Sequence, residues 1–523
     1  MIRALRLVLP LAAACAVSVA APRAATAQTT PAPQIAVEKT KLANGLEVVL
    51  HEDHRTPIAT VNLWYHVGSK DEPEGRNGFA HLFEHMMFQG SKHVSEDMYF
   101  KYLERSGASD INGTTSTDRT NYFETVPKNQ LELALWLESD RMGFLLDHVD
   151  QASFENQRAV VLNERRQSYE NRPYGLVPQF IAEAMYQPGH PYHRLTIGTA
   201  RDLNAASLED VKQFFRTYYV PNNATLVVAG DIDKKKTLEL VEKYFGPIPA
   251  SPVPCKAYAS PRPGCTGAPR AIPPGGPAAE VKLDIAANVE LPRVEIAWNT
   301  PSFFTPGDAE LDFLSHVLSS GKTSRLYKRL VYDMRIAQDV YAYQSSRELG
   351  STFEIGATAQ PGHTADELFV AIEDELDKLR KEGLRPGEIS RARAEVTSGL
   401  VFEVERVGGR ANMFNTYNHY TAKPDFLASD IARYDAVNDA GVLHAAKTYL
   451  NARRVIARIT PDKAAPIAGV LKAINGAPPP PEPPPSRPMH TGPHHGGSHG
   501  KHTGMGGGSA VPKAPQAPQG GAK

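Results

Sequence analysis

Two pairs of segments in this chain repeat at almost the same separation. Glu84-His85-Met86-Met87-Phe88-Gln89-Gly90 resembles Ser315-His316-Val317-Leu318-Ser319-Ser320-Gly321, 231 residues later. Tyr219-Val220 and Thr225-Leu226-Val227-Val228 resemble Tyr449-Leu450 and Val455-Ile456-Ala457-Arg458, 230 residues later. Two matches with nearly one offset argue for a duplicated unit, so the fold is expected to be two copies of one architecture. Each unit mixes element types. Val61 to Val67 alternates as a half-buried strand does, whereas Leu131 to Met142 carries apolar residues at helical spacing. Thr364 with Glu367, and Ser207 with Asp210, have the form of capping boxes opening helices at Ala365 and Leu208. The expected class is α+β, with each sheet covered by helices.

Composition sets the outer limits of the two units. Arg3 and Arg6 precede an apolar run from Leu7 to Ala21 and the small-x-small stretch Ala25-Thr26-Ala27, the pattern of a secretory signal. The run is shorter than the roughly 20 residues a membrane span needs. Residues 477–523 hold 12 Pro, 10 Gly and no aromatic, a composition that cannot pack a core. The expected order is a signal peptide (1–27), a first domain (35–246), a Pro/Gly-rich linker (247–277), a homologous second domain (278–475) and a disordered tail (477–523). Export to the periplasm or medium follows. Cys255 and Cys265 in the linker then form a disulfide or remain loop thiols, the oxidising compartment favouring the former. With 57 basic against 58 acidic side chains, no electrostatic case exists for a nucleic-acid or anionic-membrane surface.

The segment richest in chemistry is Gly78-Phe79-Ala80-His81-Leu82-Phe83-Glu84-His85-Met86-Met87-Phe88. At about 100° per residue, His85 projects about 40° from His81 on one side and Glu84 about 60° on the other. Two imidazoles four residues apart can reach one ion, and a carboxylate beside them can take a proton from metal-bound water. The bland alternative, solvated surface histidines, leaves the surrounding Leu82, Phe83, Met86, Met87 and Phe88 without a purpose. A catalytic zinc needs a third ligand, and the same helix offers none. The candidate is Glu164, which follows the apolar run of a helix expected over Phe154 to Glu170; Glu155 and Glu170 lie nearer its ends.

These motifs together resemble the inverted-motif zinc peptidases, the family of pitrilysin, insulysin and the mitochondrial processing peptidase, over most of residues 35–475. The match extends to Val160-Val161-Leu162-Asn163-Glu164, His190-Pro191-Tyr192 and Ile197-Gly198. The resemblance implies one zinc per chain held by His81, His85 and Glu164, with Glu84 as general base. It also implies a clam-like chamber formed by two homologous domains, and a substrate-binding edge strand at Asn112-Gly113-Thr114-Thr115-Ser116 that reads extended peptides through backbone pairing.

The sequence departs from the family pattern in two places. Gln157 stands where many members carry a Glu supporting the third ligand. Val331 and Gln338 stand where an Arg and a Tyr bind the substrate carbonyl region, with Arg325, Arg329, Tyr332 and Tyr341 nearby. A homologous partner subunit supplying that pair is one resolution; a catalytically silent binding or scaffold subunit is the rival. In the second unit the positions matching His81 and Glu84 are Asp312 and Ser315, so His316 is expected to be a packed residue rather than a ligand. His490, His494, His495, His499 and His502 make the tail either a solvated spacer or a loose metal collector.

Overall fold

The computed structural model describes residues 35–253 and 271–480. The signal segment, Cys255, Cys265 and the tail histidines lie outside them. Two six-stranded sheets dominate. The first runs in the order β1-β2-β6-β3-β5-β4, from β1 (Glu38–Lys41), β2 (Glu47–Glu52), β3 (Ile58–Tyr65), β4 (Ser109–Thr115), β5 (Thr120–Pro127) and β6 (Ala224–Gly230). The second runs β12-β7-β11-β8-β10-β9, from β7 (Val281–Ala287), β8 (Arg293–Thr300), β9 (Ala337–Ser345), β10 (Ser351–Ala359), β11 (Arg454–Pro461) and β12 (Val470–Ile474). In each sheet one pair is parallel, β2 with β6 and β7 with β11, and every other pair is antiparallel. Five strands correspond in order, β2-β6-β3-β5-β4 with β7-β11-β8-β10-β9, as the internal offset required; the remaining edge strand precedes its neighbour in the chain in the first sheet (β1) and closes the second (β12).

Helix boundaries follow their caps. Ser207 and Thr364 open the helices Leu208–Tyr218 and Ala365–Glu382 by accepting from Asp210 N–H and Glu367 N–H, with the acidic side chains returning to the cap backbone. The expected helix over Phe154 to Glu170 is α-helical only over Gln151–Arg165 and widens into a π turn at Arg166–Glu170.

The two halves exchange helices. β3 reads as a half-buried strand, yet both of its faces are covered. Ala59, Val61, Leu63 and Tyr65 enter the first core, while Thr60, Asn62 and Trp64 are buried beneath the helix Val407–Thr421 of the second half. Asn415 Nδ2 donates to the Asn62 carbonyl at 2.9 Å. The alternation in the sequence therefore marks two different coverings rather than core and solvent. Reciprocally, Val177, Ile181 and Met185 of the first-half helix Val177–Met185 pack on Leu283, Ile285, Ala297 and Val455 of the second sheet. Tyr192 fastens the joint, donating from its hydroxyl to Asp118 Oδ1 at 2.5 Å and accepting Leu349 N–H at 3.0 Å. No helix among the described residues is long and apolar enough to cross a membrane.

Candidate metal centre

The helix Phe79–Met86 starts where the chain turns sharply. Gly78 caps it at φ 98°, and a Cβ there would stand 2.9 Å from the Ile197 carbonyl. That backbone favours glycine. The buried carboxylate of Glu72 accepts from Gly78 N–H at 3.0 Å and Ala80 N–H at 2.8 Å, satisfying two donors of the first turn. Phe79, Ala80, Leu82, Phe83 and Met86 are buried. The remaining face carries His81, Glu84 and His85.

Glu164 meets that face from the last turn of Gln151–Arg165, which Asp150 caps through Ser153 N–H and which Phe154 and Val161 anchor in the core. Glu164 Oε2 lies 3.4 Å from His85 Nε2 and 3.6 Å from His81 Nε2. Each residue offers one ligand atom, and these atoms lie within 4.8 Å of one another; no other such group of His, Cys, Asp and Glu occurs among the described residues. Ligand bonds of about 2.0–2.1 Å in a tetrahedral shell put neighbouring donors about 3.3 Å apart, close to the two measured separations. The two-nitrogen, one-oxygen set and its spacing fit a zinc ion with a coordination position to spare.

The electrostatics divide the ligands, holding His81 neutral and Glu164 ionised while favouring a proton on His85 that a bound metal would displace. Burial, reinforced by the neighbouring His85, pulls His81 down to about 4, so its imidazole is neutral at physiological pH. Burial opposes charge on His85 too, but the Glu164 hydrogen bond and the Glu84 carboxylate outweigh it and raise the value. Gln157, the position that departs from the family pattern, is a neutral amide that adds a smaller push in the same direction. Glu164 is lowered chiefly by the His85 hydrogen bond. Glu84 is raised by burial, against the opposing hydrogen bond of Thr115, whose hydroxyl donates to Oε2 at 2.6 Å.

Asn112, Gly113 and Thr114 lie on β4, the edge strand of the first sheet. Sequence reasoning placed Thr115 in the edge strand but did not foresee that its side chain touches Glu84. It also passed over Arg119, which donates to the Thr114 carbonyl at 3.0 Å and lies over Trp64 at 4.9 Å from the ring centroid. Only the β4–β5 turn brings Arg119 to the site.

In the second half, Val331 is half-buried and Gln338 exposed. Arg325 is committed to Glu388 at 2.7–2.8 Å, and Arg329 to the Ala371 carbonyl at 3.2 Å and Asp374 at 3.1 Å. Tyr341 packs on Gly356, and Tyr332 is 71% exposed. His316 is not simply packed, as the sequence suggested: it is only partly buried and pairs with Glu395 at 2.7 Å.

A helix bearing two histidines and a glutamate, facing a carboxylate from a second helix on a duplicated α+β scaffold, defines the inverted-motif metallopeptidase class. The chain belongs to the insulinase family, peptidase family M16: residues 47–199 match that family and residues 205–396 match the Peptidase M16 inactive domain. It is 30% identical over 384 residues to the zinc protease PqqE of Helicobacter pylori, covering 73% of this chain and 83% of that protein. It is 25% identical over 382 residues to the mitochondrial-processing peptidase subunit beta of Lentinula edodes, covering 70% and 78%. A protease from Helicobacter pylori shares the fold with a TM-score of 0.73 and 26% identity, over 82% of this chain and all of that one. A peptidase M16 inactive domain from Pseudomonas fluorescens has a TM-score of 0.71 at 17% identity, over 82% and 98%.

Proposed function

We propose that this chain is a zinc-dependent endopeptidase acting on peptides or unfolded segments, with His81, His85 and Glu164 as metal ligands and Glu84 as general base. The observation that carries the reading is Glu84 beside the three converging ligand atoms, because a purely structural zinc needs no base. Zinc supplies a Lewis-acid centre that makes water acidic near neutral pH. Glu84 accepts the proton of the attacking water on its carboxylate and returns it to the leaving amine. A peptide adds to the free edge of β4, the strand that carries Asn112, Gly113 and Thr114, through backbone pairing with little sequence demand.

The absence of Arg and Tyr from positions 331 and 338 favours a second reading, in which the chain is silent by itself and a homologous partner supplies that pair. One relative being named a subunit of a processing peptidase supports it. The first 27 residues support action in the periplasm or outside the cell. The test is cleavage of unstructured peptides with and without chelator, by the isolated chain and by the chain mixed with a homologous partner. Chelator-sensitive cleavage by the strict monomer selects the first reading; cleavage only with the partner selects the second; none in either setting removes the peptidase.

A further inference from the structure

We infer that Thr115 is a positioning residue that couples a peptide docked on β4 to the orientation of Glu84; the inference rests on the peptidase reading above. The β4–β5 turn fixes the register. Ser116 N–H donates to the Arg119 carbonyl at 2.9 Å, and the cross-strand partners step back from it as Thr115 with Thr120, Thr114 with Asn121, Gly113 with Tyr122 and Asn112 with Phe123. Hydrogen-bonded and non-bonded pairs alternate in an antiparallel ladder, so Thr114 and Asn112 bond to β5 while Thr115 and Gly113 turn their N–H and C=O groups to the open edge. An independent contact agrees: Gly113 N–H is taken by the side-chain oxygen of Asn112 at 2.9 Å rather than by β5.

Side chains alternate with the same period. A Cβ on Gly113 would stand 3.0 Å from the Tyr122 ring and 3.1 Å from the Phe88 ring, so the faces of residues 113 and 115 look toward the metal helix. Thr115 therefore offers its main chain to an added peptide strand and its hydroxyl to Glu84 Oε2 at 2.6 Å. The turn behind it is braced by Ser116 Oγ, which accepts Asp118 N–H at 3.1 Å and Arg119 N–H at 3.2 Å, and by the Arg119 guanidinium on the Thr114 carbonyl. A β-branched side chain has few rotamers to lose, so the hydroxyl is held on one carboxylate oxygen. The other oxygen of Glu84 is left to face the attacking water.

Thr115→Val keeps the shape and removes the donor, and Thr115→Ser restores the donor. With a quenched-fluorescent unstructured peptide, Thr115→Val is expected to lower kcat by about ten- to a hundredfold, the scale of one hydrogen bond to a charged group, with KM within about twofold. Thr115→Ser recovers kcat. Zinc affinity, read by competition with a chromogenic chelator in the absence of peptide, is expected to stay within about twofold in both variants. Wild-type kcat in Thr115→Val, a parallel loss of zinc affinity and KM, or no recovery in Thr115→Ser overturns the coupling and leaves the peptidase reading standing. A wild-type chain without chelator-sensitive cleavage, alone or with a partner, removes both.

Discussion

His316 Nδ1 and Glu395 Oε2 stand 2.7 Å apart, and these residues lie 231 positions beyond His85 and Glu164. The second half has therefore kept two corners of a ligand triangle and closed them on each other. The third corner is Asp312, 231 positions beyond His81, whose shorter side chain accepts from the Tyr434 hydroxyl at 2.7 Å. Where the first half places its candidate zinc ligands across two helices, the second joins Asp308–Ser319 to Glu388–Glu405 with a hydrogen bond.

Asp312→His is expected to rebuild the triangle, because an imidazole at this position extends as far as His81 does. The variant should bind one more zinc per chain than the wild type by elemental analysis after dialysis, and adding Glu395→Gln should abolish the gain. A folded Asp312→His protein with unchanged zinc content would refute this.

Asp312 also predicts a pH dependence of stability. Burial pushes its carboxyl up from an ordinary 3.8 to about 7; Asp308 and Asp430 add to the shift, while Tyr434 and Arg433 oppose it. The folded chain then binds more protons than the unfolded chain between roughly pH 4 and 7, so this group's contribution is present below that window and lost as pH rises through it. Asp312→Asn should flatten the denaturation midpoint over the window and be more stable than wild type at pH 8. An unchanged slope counts against the buried acid.

How much of this was legible in the chain depended on the range of the interactions. Local chemistry read well: Ser207 and Thr364 cap their helices as expected, and the spacing of His81, Glu84 and His85 put them on one helical face. Glu164 was found from an apolar run, and its convergence with the histidines needed only one helix pair. Contacts between the halves were not legible. Asn62 and Thr60 look like solvent positions in β3 and are buried because a helix some 350 residues away covers them, which no periodicity encodes. The contact of Thr115 with Glu84 and the place of Arg119 escaped for a related reason, since a turn and a strand register decide where they point.

The exchanged helices should make the two halves unfold together. Phe414 is 1% exposed and packs with Val49, Val227 and Ala229 of the first sheet. Phe414→Ala should cost about 3–5 kcal/mol in denaturant unfolding while retaining a single transition. Two separate transitions in the wild type would show that the halves are independent.

Lys70 is buried in the joint, with its ammonium 3.1 Å from Glu348, 3.6 Å from Asp71 and 3.8 Å from Asp118, and those carboxylates hold it well above the usual lysine range. Lys70→Met leaves the carboxylates without their cation and should destabilise by about 3–5 kcal/mol. A change under about 1 kcal/mol in equilibrium unfolding would mean that the remaining joint contacts compensate.

In the proposed mechanism His81, His85 and Glu164 grip zinc while Glu84 handles the proton. Measuring zinc content and peptide cleavage side by side in wild type, Glu84→Gln and Glu164→Gln, with the homologous partner added where the wild type requires it, tests both halves of that statement. Glu84→Gln is expected to keep its zinc and lose cleavage by at least about a thousandfold, while Glu164→Gln is expected to lose both. Zinc-loaded Glu84→Gln protein cleaving at the wild-type rate, or wild-type protein purified from zinc-replete medium without bound metal, would contradict that mechanism.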